Sequence, residues 1–173
     1  MMYNDIMIEF GFNPEKAKEV ILYLSSLDRG ISKMRLLKFM FFADIYHINK
    51  YARPILGDRY VAMQHGPVLS TLYNMIKDSC QDYSVKGMAI IPHREANLDY
   101  ISKSDKEALD YAFNQYSQYE TEKLSEISHE HRAWINALEK EPNSKNAPML
   151  WEWIIEYDDI LQELQECSRA IVF

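Results

Sequence analysis

The stretch Ser32-Lys-Met-Arg-Leu-Leu-Lys-Phe-Met-Phe-Phe-Ala-Asp-Ile-Tyr-His-Ile-Asn-Lys-Tyr51 carries the heaviest apolar periodicity in the chain. Leu36, Leu37, Met40, Phe41, Ile45 and Ile48 recur at spacings of three and four and give a helix with a broad apolar face. It has to end before Pro54, in the segment Tyr51-Ala-Arg-Pro-Ile-Leu-Gly-Asp58. On its N-terminal side, Asn13-Pro14 opens a first helix, because Asn caps and Pro fits the first turn. Ala17, Val20, Leu24 and Leu27 share its inner face, and Gly30 closes it.

On the C-terminal side, Tyr60-Val-Ala-Met-Gln-His-Gly-Pro67 is punctuated by Gly66-Pro67, with Pro67 expected to open a third helix through Leu69, Leu72, Tyr73 and Ile76. Residues 83–101 lack helical period and hold short β-branched runs, so they read as a small hairpin. Ser104-Asp-Lys-Glu107 reads as a capping box for a helix through Tyr116. Short helices follow at Thr121–Ser128 and Arg132–Glu139, then a loop over 141–148. A last helix is expected from Pro148 to about Glu166. The fold class that results is mainly α: a compact helical bundle with a small β-hairpin, one domain over residues 1–173.

Composition agrees. The 173 residues are 47% hydrophobic and 26% charged, which excludes wholesale disorder. Only 5 Gly and 6 Pro argue against a sandwich or barrel with its many tight turns. The formal charge is −7, an unfavourable sign for general binding to nucleic acid or an anionic membrane. Its distribution is more telling. Residues 1–60 hold 9 bases and 7 acids, residues 61–103 hold 4 of each, and residues 104–173 hold 6 bases and 15 acids. The whole negative balance therefore lies in the last seventy residues, and such asymmetry points to a charged partner.

Cys80 and Cys167 are isolated and make neither a metal knuckle nor a disulfide framework. The start Met1-Met-Tyr-Asn-Asp-Ile-Met-Ile-Glu-Phe10 has no basic residue and no signal-peptide pattern. The apolar run Phe39–Ala43 stops at Asp44, far short of the ~20 residues a membrane span needs. A cytoplasmic protein is expected.

No Gly-rich phosphate loop and no serine elbow is present, and no catalytic residue, metal or cofactor is assigned. Asp44 and His47 stand at i, i+3 and share a helix face, where they could bind a metal, shuttle a proton, or fix the neighbouring loop by hydrogen bonds. His129-Glu130-His131 would face one way on a strand, but before Trp134 in a helix-like setting its histidines diverge, which argues against a metal site. His65-Gly66-Pro67, with a helix start after it, could greet an anion or simply be a turn. In the last helix, Glu152, Glu156, Asp159, Glu163 and Glu166 fall at steps of 4, 3, 4 and 3, with no Lys, Arg or His between Pro148 and Glu166. Like charges so placed weaken a helix, so the stripe is either a solvated face or the mate of a basic partner.

Leu36-Leu-Lys-Phe-Met-Phe-Phe-Ala-Asp44, His47, Tyr51-Ala-Arg-Pro-Ile-Leu-Gly-Asp58, Tyr60, Ala62, Gly66-Pro-Val68 and Leu72-Tyr73 together resemble the Panacea domain family, the SocA-like antitoxins, which also includes phage-associated proteins. Leu124-Ser-Glu-Ile-Ser-His129 with Trp134 resembles its second, C-terminal signature; the two span about residues 15–157. Ala52 stands where the family usually has Gly, and His65 where an aromatic residue is common.

The resemblance implies a mainly helical domain that binds a protein toxin and neutralises it, with no catalytic activity. Some members instead act as adaptors that hand the toxin to a host protease. The residues then expected to meet a partner are Asp44, His47, Asp58, His65 and His129, polar positions set in apolar motifs, together with the acidic stripe. Leu37, Tyr60, Gly66, Pro67 and Trp134 are expected to be structural. The toxin would have a basic surface, with no direct role for nucleic acid or membrane. A third possibility is an enzyme using Asp44, His47, Asp58 or His129 as ligands or acid–base groups.

Overall fold

In the computed structural model, which describes residues 7–170, seven further α-helices and five short strands are arranged around helix α2, Lys33–Tyr51. Ser32 caps α2 by accepting the Arg35 N–H. The helix buries Leu36 through Asp44 without interruption, then His47 and Ile48. Helix α1, Pro14–Leu27, starts at the Asn13 cap with Pro14 in its first turn. It ends without a glycine cap: Asp28 closes it in extended conformation and Gly30 sits in the following turn at φ +75°.

Strands β1 (Tyr60–Met63) and β2 (Gly66–Leu69) form an antiparallel hairpin over the two-residue turn Gln64-His65. Helix α3, Ser70–Met75, begins only after it. Pro67 therefore does not open a helix; it pairs with Ala62. The reason is burial, since all four residues of Gly66-Pro-Val-Leu69 are inside, as a strand under a helix layer requires. A third strand, β5 (Ala147–Met149), pairs with β1 and makes the order β2-β1-β5. Both outer strands carry a proline, Pro67 and Pro148, where a missing N–H costs no ladder bond. The anticipated hairpin is also present, as β3 (Tyr83–Lys86) with β4 (Ala89–Pro92), so the β content is two small antiparallel sheets.

Helix α4, Lys103–Tyr116, packs along α2. Its capping box is Ser102 with Asp105, two residues before the anticipated Ser104–Glu107 pair. Ser104 and Glu107 instead bond side chains of the α2 region. Helices α5 (Thr121–His129) and α6 (Arg132–Lys140) follow as expected.

The anticipated last helix is not continuous. Pro148 lies in β5, α7 is a single turn over Trp151–Ile154, and α8 runs Asp158–Ala170. Asn49 produces the break by donating to the Ile154 carbonyl at 3.1 Å and accepting the Glu156 N–H at 2.6 Å. Arg132 takes the carbonyls of Trp153 and Ile155. Groups that would continue the helix are thus spent on side chains from α2 and α6.

The core is one apolar cluster centred on α2, with Phe41, Tyr60 and Trp151 edge-to-face at 5.3–5.4 Å. Mainly α architecture with minor β is what the sequence predicts; the termini of the proposed 1–173 domain lie outside the described residues. Among those residues, no helix is long and apolar enough to cross a membrane.

Candidate functional site

The polar residues of the first signature face inward. Asp44 is 1% exposed and accepts the Ile55 N–H at 2.9 Å and the Tyr60 hydroxyl at 2.6 Å. Burial pushes its carboxyl up to about 6, against the pull of those two donors. His47 is fully buried. Its Nδ1 lies 2.6 Å from the Arg53 carbonyl and its Nε2 3.0 Å from Ser104 Oγ. A carbonyl only accepts, so Nδ1 carries the proton and Nε2 accepts from the serine. Burial lowers the His47 pKa, which keeps the ring neutral although Asp105 is 3.4 Å away.

Asp105 itself is held by Lys16 at 2.7 Å and Arg53 at 3.1 Å. Burial alone would raise its carboxyl, but the Lys16 and Ser102 donors outweigh this and hold it below its ordinary value. Asp58, 3% exposed, accepts the N–H groups of Arg59 and Leu72, both at 2.8 Å. It so caps α3 from outside, because Leu69 at the cap position offers no side-chain acceptor. Asp44 and His47 share a helix face but spend their bonds on different partners. Of the roles open to them from sequence, these bonds are the ones that fix the loop after α2.

The two signatures meet beneath the β1–β2 hairpin. Lys38 is 1% exposed, and its Nζ donates to the Pro67 carbonyl at 3.2 Å. No carboxylate pairs with it among the described residues, and desolvation lowers its pKa to about 8. Gly66, at φ +112°, leaves room for this arrangement. A Cβ there would lie 2.4 Å from Ser128 Oγ and 2.7 Å from Lys38 Nζ. From the second signature, His129 stacks on Trp134 with ring centroids 4.1 Å apart, and Trp134 Nε1 donates to the Met63 carbonyl at 3.1 Å. His129 Nε2 is buried with no partner among the described residues. Burial lowers its pKa, helped by the nearby Lys38 and His65. His65 itself stands exposed at the hairpin tip.

Tyr60, Gly66, Pro67 and Leu37 are buried and Trp134 half-buried, as structural positions should be. Lys38, Ser128, Arg53 and Asp105 complete this internal network, and none of them stands out in the sequence. The only signal for Lys38 is a cation inside an otherwise apolar helical run.

The acidic residues divide three ways. Glu152 is half-buried, with Oε1 accepting the Ile8 N–H at 2.9 Å and Oε2 buried without a partner among the described residues. Glu156 is exposed at the α7–α8 joint, 4.0 Å from His131 Nε2. Asp159, Glu163 and Glu166 are exposed on α8, where Glu166 accepts from Gln162 at 2.9 Å. The five do not form one stripe, because the break at 155–157 separates them. Among the described residues, no group of three or more His, Cys, Asp or Glu is placed to hold a metal ion.

No curated protein and no solved structure matches the chain. A family model described as antitoxin SocA-like, Panacea domain, matches residues 36–135. That span runs from the first turn of α2 to Ile135, just beyond Trp134, and takes in both halves of the network under the hairpin. It covers more than half of the sequence, and the chain therefore belongs to the SocA-like antitoxin family that the Panacea domain defines.

Proposed function

We propose that the chain is an antitoxin that neutralises a cognate protein toxin by direct contact and makes or breaks no bond in doing so. The observation that carries this reading is the family match over residues 36–135. The inward-facing polar set supports it. Asp44, His47 and Asp58 are each consumed by hydrogen bonds that hold backbone in place, which leaves them as scaffold. Of the residues expected to meet a partner, His65 at the hairpin tip and the acids Glu156, Asp159, Glu163 and Glu166 are exposed, and charge complementarity then favours a toxin with a basic face.

Co-expression with the product of the neighbouring gene tests it. Growth arrest by that product alone, rescue by this chain, and co-purification of the two are expected. A neighbouring product that is neither toxic nor bound overturns the proposal. Rescue that vanishes in a host lacking its ATP-dependent proteases would assign the chain as an adaptor instead.

A further inference from the structure

Between α2, α4 and the α7–α8 joint lies a cleft of about 560 Å³. Aromatic rings dominate its walls: Phe42, Tyr46, Tyr111, Tyr116 and Tyr157, with Glu156 at the rim. Two of the walls are built as ring pairs, Tyr46 on Tyr111 with centroids 4.3 Å apart and Phe42 on Tyr116 at 4.0 Å. Each ring in a pair is held by its partner, so the walls exist before anything binds. Asn49, through its bonds to Ile154 and Glu156, fixes the joint that carries Tyr157, and Tyr157 is 55% exposed.

The charges around the cleft are not balanced. Lys50, the cation on its lining, lies over the Tyr46 ring at 5.2 Å and is paired with Glu107, which also takes the hydroxyls of Tyr46 and Tyr51. Among the described residues Glu156 has His131 as its one ion-pair neighbour, at 4.0 Å. Burial, with Arg132 beside it, brings the His131 pKa down to about 4, so that ring is neutral near pH 7. Among the described residues no Lys or Arg lies within 4 Å of the Glu156 carboxylate, which therefore presents an unpaired negative charge beside several π faces. Exposed acids continue from the joint along α8, starting at Asp158 and Asp159.

We propose that this cleft receives an arginine side chain of the protein partner, with the guanidinium lying against Tyr111 and Tyr157, the exposed tyrosines of the lining, and pairing with Glu156. A planar, weakly hydrated guanidinium suits ring walls better than a compact ammonium, and its fork fits a carboxylate. The acidic flank of α8 gives further basic residues of the same partner a place to lie. The inference rests on the reading of the chain as a toxin-binding protein.

The test is NMR titration of the purified full-length chain with acetyl-arginine methylamide, against acetyl-citrulline methylamide as the neutral isostere. Saturating shifts at Asn49, Tyr111, Glu156 and Tyr157 are expected with arginine. They should be at least fivefold weaker with citrulline and in Glu156→Gln. No shift, equal shifts with citrulline, or shifts confined to α8 would overturn the assignment. Cleft shifts that depend on protein concentration without the probe would place a second copy there and also overturn it.

A second arm uses co-expression with the neighbouring gene's toxin, where Tyr157→Ala with Glu156→Gln should raise the antitoxin dose needed for rescue at least tenfold. Full rescue by that variant overturns the cleft and leaves the antitoxin reading standing. Failure of the wild-type chain to rescue removes the antitoxin reading, while the arginine titration still decides the cleft.

Discussion

Helices α2 and α8 are built on opposite terms. α2 buries 11 of its 19 residues, Lys38, Asp44 and His47 among them along with its apolar face. α8 has 13 residues, of which Leu164 alone is buried, and its four acids, Asp158, Asp159, Glu163 and Glu166, all face water. α2 begins the family match at residue 36, whereas α8 lies wholly beyond residue 135. The difference separates two kinds of polar residue. A polar group in an apolar run is buried because some backbone elsewhere needs its hydrogen bond, and removing it leaves that backbone unpaired. A polar group on a helix such as α8 owes nothing to the interior and is free to be set by what approaches from outside.

The strongest way to break this contrast is at the contact between α2 and the hairpin. Gly66→Ala forces a Cβ against Ser128 Oγ and Lys38 Nζ and imposes a side chain at φ +112°. A loss of about 3 kcal/mol is expected, from strain and clash together. Thermal unfolding should show it as a fall of roughly 6–12 °C in Tm. A loss under about 1 kcal/mol would mean that Lys38 and Ser128 move aside easily, and the brace would be soft rather than fixed.

Lys38 gives the next largest effect, and its sign is distinctive. Its ammonium is buried with no carboxylate partner among the described residues, and its pKa falls to about 8 from an ordinary 10.5. Between those values the unfolded chain holds a proton that the folded chain has released. Raising the pH from 8 to 10 should therefore stabilise the fold, and lowering it below 8 leaves the full cost of the buried charge. Lys38→Met should abolish that slope and raise stability at pH 7 by about 1–2 kcal/mol, after allowing for the lost bond to the Pro67 carbonyl. Denaturant unfolding at pH 7 and pH 9.5 measures both. A variant that retains the slope would show that another group supplies it.

These buried groups also mark where sequence reading stops. The helical period of 36–48, the Asn13-Pro14 start and the β3–β4 hairpin are local signals, and all are present in the fold. The Pro67 and Pro148 readings fail for a common reason. A proline at a helix start and a proline on an outer strand look alike until the strand pairing is known, and β1 pairs with residues 67 and 148 across very different distances in sequence. Asp44 and Asp58 stand out as polar residues in apolar motifs. Apart from the Tyr60 hydroxyl on Asp44, their partners are backbone N–H groups such as those of Ile55 and Leu72, which carry no side-chain signature. The break in the last helix is equally silent, because it is made by Asn49 and Arg132 from elsewhere in the chain.

Ala52 offers a smaller and opposite effect. It ends α2 at φ +55°, the sole non-glycine residue with positive φ among the described residues. Glycine would suit this position for a physical reason: a left-handed cap costs a side chain about 1–2 kcal/mol. Ala52→Gly should recover about 0.5–1 kcal/mol, the remainder being lost to the greater freedom of Gly in the unfolded chain. A rise of roughly 1–4 °C in Tm is the expected reading. No rise would show that surrounding contacts already favour the Ala methyl.

The smallest stability effect belongs to α8, and it is the one that sharpens the contrast most. Because the helix starts at Asp158, Asp158 and Asp159 sit in its first turn, where the dipole favours them, and Arg169 sits favourably in the last. Only Glu163 and Glu166 oppose the helix. Glu163 is four residues from Asp159 and three from Glu166, a like-charge spacing that costs about 0.2–0.5 kcal/mol per pair. Glu163→Gln with Glu166→Gln should therefore leave unfolding within about 0.5 kcal/mol of wild type, on the stabilising side. The same variant should bind the toxin more weakly, and the gap from wild type should narrow as salt is raised, since screening removes what the charges contribute. Calorimetric unfolding and binding at low and high ionic strength read the two quantities separately. A stability loss above about 1 kcal/mol would give these acids an internal role like that of Asp44. The division between a helix that serves the interior and one that serves a partner would then not hold.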